Sequence, residues 1–163
     1  MTIFVTRKGT TRKLLLALFL LALPAAAWCL PSGEHGTIGV VRNSAGTATI
    51  TRGDQALPAV SGTKLLAGDI LSTGFDGSMG VILRDNSTLS LGPGSTLAIR
   101  SFLYSPGEGK LGFLARISSG TMAYISGLIG KLAPQSVRFD TPVATIGIRG
   151  TYFAVIVGEP ESR

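Results

Sequence analysis

Apolar and polar residues alternate along most of the chain beyond residue 36, and this pattern predicts short β-strands with little helix. The alternation is clearest between residues 81 and 99, where turns at 84–87 and 92–95 separate three runs. Within these runs the apolar side chains occupy odd positions: Val81, Leu83, Leu89, Leu91, Leu97 and Ile99. Each run is therefore predicted to be a strand with one face in the core and one polar face.

Further strands are predicted on both sides of this stretch, at 38–41, 48–51, 70–73, 113–117, 121–125, 137–139 and 151–157. Residues 118–120 predict a hairpin turn between 113–117 and 121–125. Segment 127–132 contains two glycines, which weaken a helix and a strand alike. The fold class is therefore predicted to be all-β, a single domain of many short strands. A sandwich, a barrel and a stacked solenoid all fit, and the 22 glycines among 163 residues favour a solenoid-like stack.

The N-terminal residues have the layout of an export signal. An apolar run at 14–23 is followed by Pro24 and three alanines, and it is preceded by four basic residues, Arg7, Lys8, Arg12 and Lys13. We predict cleavage between Ala27 and Trp28, which makes the protein periplasmic or secreted. The alternative is that residues 14–30 stay in the inner membrane as an uncleaved anchor with the rest facing the periplasm. Lipid attachment at Cys29 is disfavoured, because Trp28 stands where lipoproteins carry a small residue.

These patterns divide the chain into a signal peptide at 1–27, a polar lead-in at 28–36, a β domain at 37–157 and a short polar tail at 158–163. The formal net charge of +6 comes mostly from the leader. Without residues 1–27, eleven basic residues face nine acidic ones, a net charge of +2. They form no basic stripe interleaved with aromatics, so a nucleic-acid partner is not expected.

The composition argues against an enzyme. The chain has one histidine, His35 in the lead-in, and one cysteine, so it can assemble neither a Ser–His–Asp set nor an ordinary zinc site. No phosphate-binding glycine loop is present either. A polysaccharide-cleaving carboxylate pair, Asp69 or Asp76 with Asp85 or Glu108, is the least favoured alternative. We therefore expect no catalysis, no metal and no cofactor.

An ordered series of segments resembles the FecR-type periplasmic domain. The segments are 39–41, Gly62, 65–74, 76–78, 81–92 and 139–153, and the resemblance spans about residues 37–157. One departure is Asp85-Asn86-Ser87, where the family pattern is Asp-Gly-Ser. Asparagine also tolerates a left-handed turn, so we expect the turn to survive this change.

The resemblance implies a non-catalytic sensing or interaction module outside the inner membrane. The best-studied members regulate a sigma factor in response to an occupied iron–siderophore receptor, through a cytoplasmic helical domain that precedes their membrane helix. Only thirteen residues precede Leu14 here, so the resemblance implies the module and not that pathway. The expected partner is an envelope or periplasmic protein, or a small ligand. The alternative is a structural scaffold or adhesion module that pairs through its strand edges.

The segments that carry the resemblance include turns with six candidate interaction or structural residues: Gly68, Asp69, Thr73, Gly74, Asp76 and Asp85. Aspartate beside glycine is typical of turns, because the carboxylate bonds nearby backbone and glycine accepts a positive φ. We therefore interpret these residues as structural. The alternative is that Asp69, Asp76 and Asp85 gather into a cation site, although their spacing fits no calcium loop.

A second group of candidates lies near the C-terminus. Pro142 fixes its own φ and favours an extended Thr141. Arg149, followed by Gly150 and Thr151, has two possible roles. It either braces a buried carboxylate, Asp140 or Asp69, or clamps a carboxylate or phosphate of a ligand or partner.

Overall fold

The computed structural model of the chain describes residues 36–148 and 150–158. The predicted signal peptide, its cleavage site at Ala27 and Trp28, and Arg149 lie outside the described residues. The strands are β1 (Gly39–Ala45), β2 (Ala48–Arg52), β3 (Gln55–Pro58), β4 (Lys64–Leu65), β5 (Ile70–Thr73), β6 (Ser78–Leu83), β7 (Thr88–Leu91), β8 (Thr96–Ser105), β9 (Lys110–Ile125), β10 (Val137–Asp140), β11 (Thr145–Gly147) and β12 (Tyr152–Val157). A short helix α1 spans Leu128–Leu132, and 3-10 turns span Pro106–Glu108 and Pro134–Ser136.

The strands form one curled sheet in the order β3-β2-β5-β8-β9-β7-β6-β1-β4, and the all-β prediction is confirmed. The long strand β9 lies in the middle of this order and connects the group β3-β2-β5-β8 to the group β7-β6-β1-β4. Its first part pairs with β8 and β10, and its second part pairs with β7 and β12. Neighbours run antiparallel except β9 and β10. The result is a half-barrel, and one hydrophobic core contains residues from both groups.

The predicted alternation between residues 81 and 99 is confirmed. The six apolar side chains at odd positions are each at most 2% exposed, whereas Arg84 and Ser90 are exposed. Successive side chains of a strand point to opposite faces, so a strict two-residue period places one whole set in the core. Strands β6, β7 and β8 correspond to the three runs.

The predicted hairpin at 118–120 is wrong, because residues 110–125 form the single strand β9. In its first part the buried positions are odd (Phe113, Ala115 and Ile117), and in its second part they are even (Met122 and Tyr124). A β-bulge causes this change of phase, since Thr96 pairs with Ser119 while Leu97 pairs with Ile117. The same break in periodicity that suggested a turn is therefore a bend within one strand.

Three local features differ from the sequence prediction or go beyond it. Strands β3 and β11 are short and were not predicted, and each is held by one antiparallel neighbour. The ambiguous segment 127–132 forms α1. Strand β1 continues through residues 43–45, beyond the end at Val41 that was predicted for it, and the chain turns after Ala45.

Aromatic rings fill the centre of the core. Tyr124 lies 5.0 Å from the ring of Phe139 and 6.0 Å from that of Phe113, and Phe139 lies 5.0 Å from Phe153 on β12. Such edge-on and offset contacts add to the gain from burying the rings. Among the described residues, no helix is long and apolar enough to cross a membrane.

Candidate functional site

Eight of the candidate residues occupy four separate places on the fold, and Gly150 and Thr151 lie apart from them before β12. Gly68 and Asp69 lie in the turn before β5, Thr73 ends β5, Gly74 and Asp76 follow it, and Asp85 lies between β6 and β7. Thr141 and Pro142 lie between β10 and β11. The structure therefore does not assemble them into one centre, and each place has its own set of contacts.

Asp69 is buried and is held by Arg52, which the sequence did not single out. Arg52 donates from Nε to Oδ1 at 2.9 Å and from Nη2 to Oδ2 at 2.8 Å, while the Leu66 amide also donates to Oδ2 at 2.8 Å. The hydrogen bond to Asp69 raises the pKa of Arg52, which keeps the guanidinium charged. A buried carboxylate needs such a partner, because desolvating an unpaired charge is costly.

The turn that presents Asp69 has the geometry expected from the sequence. The Asp69 amide donates to the Leu66 carbonyl at 3.2 Å, and Gly68 has φ +94°. A turn with positive φ at its third position favours glycine there. Gly68 and Asp69 thus form a turn before β5, and the bond between Asp69 and Arg52 connects this turn to β2.

The second place is a cluster of turns at one end of the sheet, formed by residues 46–47, 74–77, 92–95 and 119–121, and called here the turn cluster. Thr73 Oγ1 donates to the Gly92 carbonyl at 2.7 Å and accepts from the Ser95 amide at 2.9 Å. The Gly74 amide donates to the Thr47 carbonyl at 2.8 Å, and the Gly74 carbonyl accepts from Gly94 at 2.9 Å. These bonds cross between turns, so the cluster is braced on several sides.

Within the turn cluster, Ser95 connects the turn after β7 to the bend of β9. Its Oγ donates to the Thr121 carbonyl and accepts from the Thr121 amide, both at 2.9 Å. Gly120, at φ +86°, lies so close to Ser95 that a Cβ at this position would overlap it. Asp76 caps the cluster from outside, where it accepts from the Thr47 amide at 3.4 Å.

Phe75 projects from the turn cluster into solvent. Its side chain is 88% exposed, and its ring lies over Gly94. Both neighbours in sequence, Gly74 and Asp76, are held by the cluster. A large apolar side chain is therefore presented to solvent on a hydrogen-bonded platform.

The third place is a buried polar network around Asp85, which is 0% exposed. Asp85 Oδ2 accepts from Ser87 Oγ at 2.7 Å and from the Ile129 amide at 3.2 Å, and Oδ1 accepts from the Ser87 amide at 3.0 Å. Ser87 Oγ also lies 2.9 Å from Tyr124 Oη and accepts from the Gly127 amide at 2.9 Å. None of these donors is a basic side chain, so among the described residues the carboxylate is stabilised by hydrogen-bond dipoles.

Tyr124 and Gly127 close this network. Burial raises the pKa of Tyr124, the hydrogen bond with Ser87 opposes the rise, and the charge of Asp85 adds to it. A Cβ on Gly127 would overlap the backbone of the Asp85 turn. Asn86, at the tip of that turn, has φ 63°, which confirms that asparagine supports the left-handed conformation here.

The alternative chemical roles of the carboxylates find no support in these contacts. Within residues 36–148 and 150–158, no three His, Cys, Asp or Glu side chains are grouped as metal ligands. Asp69, Asp76 and Asp85 each have different partners, as described above. Glu108 forms a surface ion pair with Lys110 at 2.9 Å. The buried Asp69 and Asp85 are bonded to the fold and are not presented to a substrate.

The fourth place is the loop between β10 and β11. Thr141 Oγ1 accepts from the Ala144 amide at 2.9 Å, and the Thr141 amide donates to the Ala144 carbonyl at 2.8 Å. The loop therefore has a fixed shape, and it exposes Pro142 and Val143, the latter to 93%. Thr145 on β11 donates to Asp140, one of the two carboxylates that Arg149 was expected to brace, at 2.8 Å.

The other expected partner of Arg149, Asp69, is bonded to Arg52. Gly150 and Thr151 are exposed, and the Thr151 carbonyl accepts from the Ser126 amide at 2.8 Å. Gly150 has φ 141°, a conformation that favours glycine. These two residues therefore lead the chain into β12.

Four residues that take part in these sites were not among the candidates predicted from the sequence: Arg52, Ser87, Tyr124 and Phe75. A signal was present for Phe75, because a phenylalanine between Gly74 and Asp76 interrupts an otherwise polar turn. For Arg52 and Tyr124 the partners, Asp69 and Ser87, are distant in sequence, and local sequence carries no mark of them. Ser87 also bonds to Asp85, two residues away.

Comparison with known proteins gives a family match. The family model described as FecR protein matches residues 69–163, which is more than half of the chain. The match begins at the buried Asp69 and includes the Asp85 network, the loop between β10 and β11, and all of the turn cluster except residues 46–47. No curated protein and no solved structure matched the chain.

Proposed function

Because the chain belongs to the FecR family, we propose that it is an exported, non-catalytic module that recognises a protein partner in the bacterial envelope. FecR proteins are a non-enzymatic regulatory family typically associated with the envelope. The proposed partner is a periplasmic or membrane protein of a signalling or assembly system, and the N-terminal segment directs the export.

The observation that carries this proposal is Phe75 on the turn cluster. Hydrogen bonds of the turn cluster hold the backbone on both sides of Phe75 before the partner arrives, so less conformational entropy is lost on association. Aromatic residues are also enriched among the side chains that dominate protein interfaces. Asp69 and Asp85, two of the four carboxylates considered for catalysis, are buried within the fold.

A capture experiment with crosslinking in the native envelope tests the proposal. Tagged protein is compared with a Phe75→Ser variant and with a matched control, Leu103→Ser, which removes a 53% exposed apolar side chain from β8. We expect the parent and the control to capture the same envelope protein and Phe75→Ser to lose most of it. Circular dichroism checks that all three have equal β content. Equal capture by all three would exclude Phe75 from the interface.

The same experiment addresses Arg149, whose role the sequence left open. An Arg149→Ala variant that keeps its fold and loses the partner would favour the ligand-clamping role. A variant that loses stability would favour the bracing role.

A small ligand is the other expected partner. If it is the partner instead of a protein, envelope capture yields nothing and thermal unfolding shifts with added ligand. One-site binding stabilises a protein by about 2.7 kcal/mol at a hundredfold excess over Kd.

A further inference from the structure

Strand β12 differs from the other strands at the margins of the sheet. Three of them are short or carry residues that discourage pairing: β3 has four residues and ends in Pro58, β4 has two and begins with Lys64, and β11 has three. β12 has six residues, all uncharged and none of them proline. Natural sheets protect their edges with short strands, prolines, lysines or bulges, and β12 has none of these.

One edge of β12 is paired with β9 over its whole length, from Tyr152 opposite Ile125 to Val157 opposite Gly120. No other described strand pairs with it. Its remaining edge therefore carries backbone N–H and C=O groups that another strand can satisfy.

Both faces of β12 are apolar. On the outer face, Tyr152 is 64% exposed and Ile156 is 80% exposed, with Ala154 between them. On the inner face, Phe153, Val155 and Val157 are partly buried and pack against the core. A solvent-exposed strand normally alternates apolar with polar residues, so this composition indicates that the edge is covered in the working protein.

We propose that a second copy of this chain covers the edge, with the two β12 strands pairing antiparallel about a two-fold axis. Directly opposite residues of an antiparallel pair lie on the same face, so the axis passes through a residue. With the axis at Ala154, Tyr152 of one copy lies opposite Ile156 of the other, and Phe153 lies opposite Val155.

This register places an aromatic residue opposite a β-branched one at four positions, a favourable cross-strand combination on both faces. Shifting the axis to Val155 leaves Ile156 opposite Ala154 and Tyr152 opposite Gly158, so two of the four combinations are lost. The strand has no charge, so two copies bring no like charges together. The dimer joins the two half-barrels into one continuous sheet and removes the unprotected edge.

Cysteine crosslinking of the purified full chain tests this register. In a Cys29→Ser background, Ala154→Cys places two thiols opposite each other, with Cα atoms about 4.5–5.5 Å apart, within disulfide range. Ile156→Cys is the matched control on the same face. Its two copies lie four residues apart along the strand, roughly 14 Å, too far to bridge.

Under a mild oxidant we expect Ala154→Cys to form a covalent dimer on a non-reducing gel and Ile156→Cys to remain monomeric. Equal crosslinking of both variants would indicate random collision, and no crosslinking of Ala154→Cys would indicate that the strands do not meet. Either of these results overturns the proposal.

Sedimentation provides a second test that does not depend on cysteine chemistry. The parent and a Leu103→Lys control should sediment as dimers, and Ile156→Lys, which adds a charge to the edge, should be a monomer of unchanged β content. A parent that is monomeric at all concentrations overturns the proposal. This outcome is independent of envelope capture, so failure of the dimer and failure of the proposed function remain distinguishable.

Discussion

Arg52 at the end of β2 and Asp69 in the turn before β5 form a bidentate ion pair across 17 residues of sequence. The aspartate is 1% exposed and the arginine side chain is 35% exposed, so the charge of the pair is buried on one side only. The pair fastens β2 to the turn that begins the FecR match. This relationship is the basis of the first prediction.

Replacing Arg52 by alanine leaves Asp69 buried with the Leu66 amide as its one donor among the described residues. We expect a loss of about 1–3 kcal/mol in the free energy of unfolding, since the partly exposed arginine moderates the cost of a broken buried pair. Arg52→Lys should recover less than half of this loss, because lysine cannot donate two parallel bonds. Urea unfolding measures both, and Arg100→Ala, an exposed arginine on β8, is the control. Equal effects at the two arginines would contradict the prediction.

Asp85→Asn tests the buried network. The amide nitrogen would face donors at Ser87 and Ile129, so at least one bond is replaced by a donor–donor contact. We expect a loss of about 2–4 kcal/mol, as for other buried networks with an unsatisfied member. Asp54→Asn, on an exposed turn, should change stability by less than about 0.5 kcal/mol. Denaturant midpoints compare the two, and a small effect at Asp85 would show that the carboxylate is not needed as an acceptor.

Asn86 stands where the FecR pattern has glycine, so substitutions at this position test whether the turn needs a left-handed residue. Because its φ is 63°, Asn86→Gly should be neutral or stabilising, and Asn86→Ala should cost about 1 kcal/mol. Both variants remove the same side-chain amide, so their difference isolates the backbone conformation. Thermal unfolding measures this difference, and equal melting temperatures would argue against a left-handed Asn86.

The raised pKa of Tyr124 predicts that the folded protein loses stability at alkaline pH. Its pKa is raised by burial in the folded protein, so the folded state holds the phenolic proton more tightly than the unfolded state does. The resulting stabilisation is fully present below the unfolded pKa of about 10 and disappears as the pH rises through the folded value. Tyr124→Phe should lose about 1 kcal/mol at neutral pH with the Ser87 hydrogen bond, and should fall less steeply than the parent above about pH 10. Parallel alkaline curves for the two proteins would contradict the shift.

Gly120→Ala tests the bend of β9. A Cβ here would overlap Ser95, and the residue has φ +86°, so we expect a loss of more than about 2 kcal/mol. Gly107→Ala is the control, because the space around Gly107 is open and its φ is not in the left-handed region. Chemical unfolding of the two variants should differ accordingly. Similar stabilities would mean that the strand bends without help from this glycine.

Much of the fold follows from the sequence alone. The two-residue period determined which side chains of β6, β7 and β8 enter the core, because a strand exposes its residues to alternate faces. Turn chemistry placed Gly68 and Asn86 in left-handed conformations. The ordered family segments identified the FecR domain, which the family match confirms.

Tertiary structure decided the rest, because it depends on which strands become neighbours. The break at Ser118 to Gly120 fits a hairpin or a bulge equally well, and only the pairing of β9 with β8 on one side and with β7 on the other makes it a bend. Likewise, Asp69 meets Arg52 and Ser87 meets Tyr124 through strand register. Local sequence sets the conformation of a residue, whereas the partners of a buried polar group are set by the packing of the whole sheet.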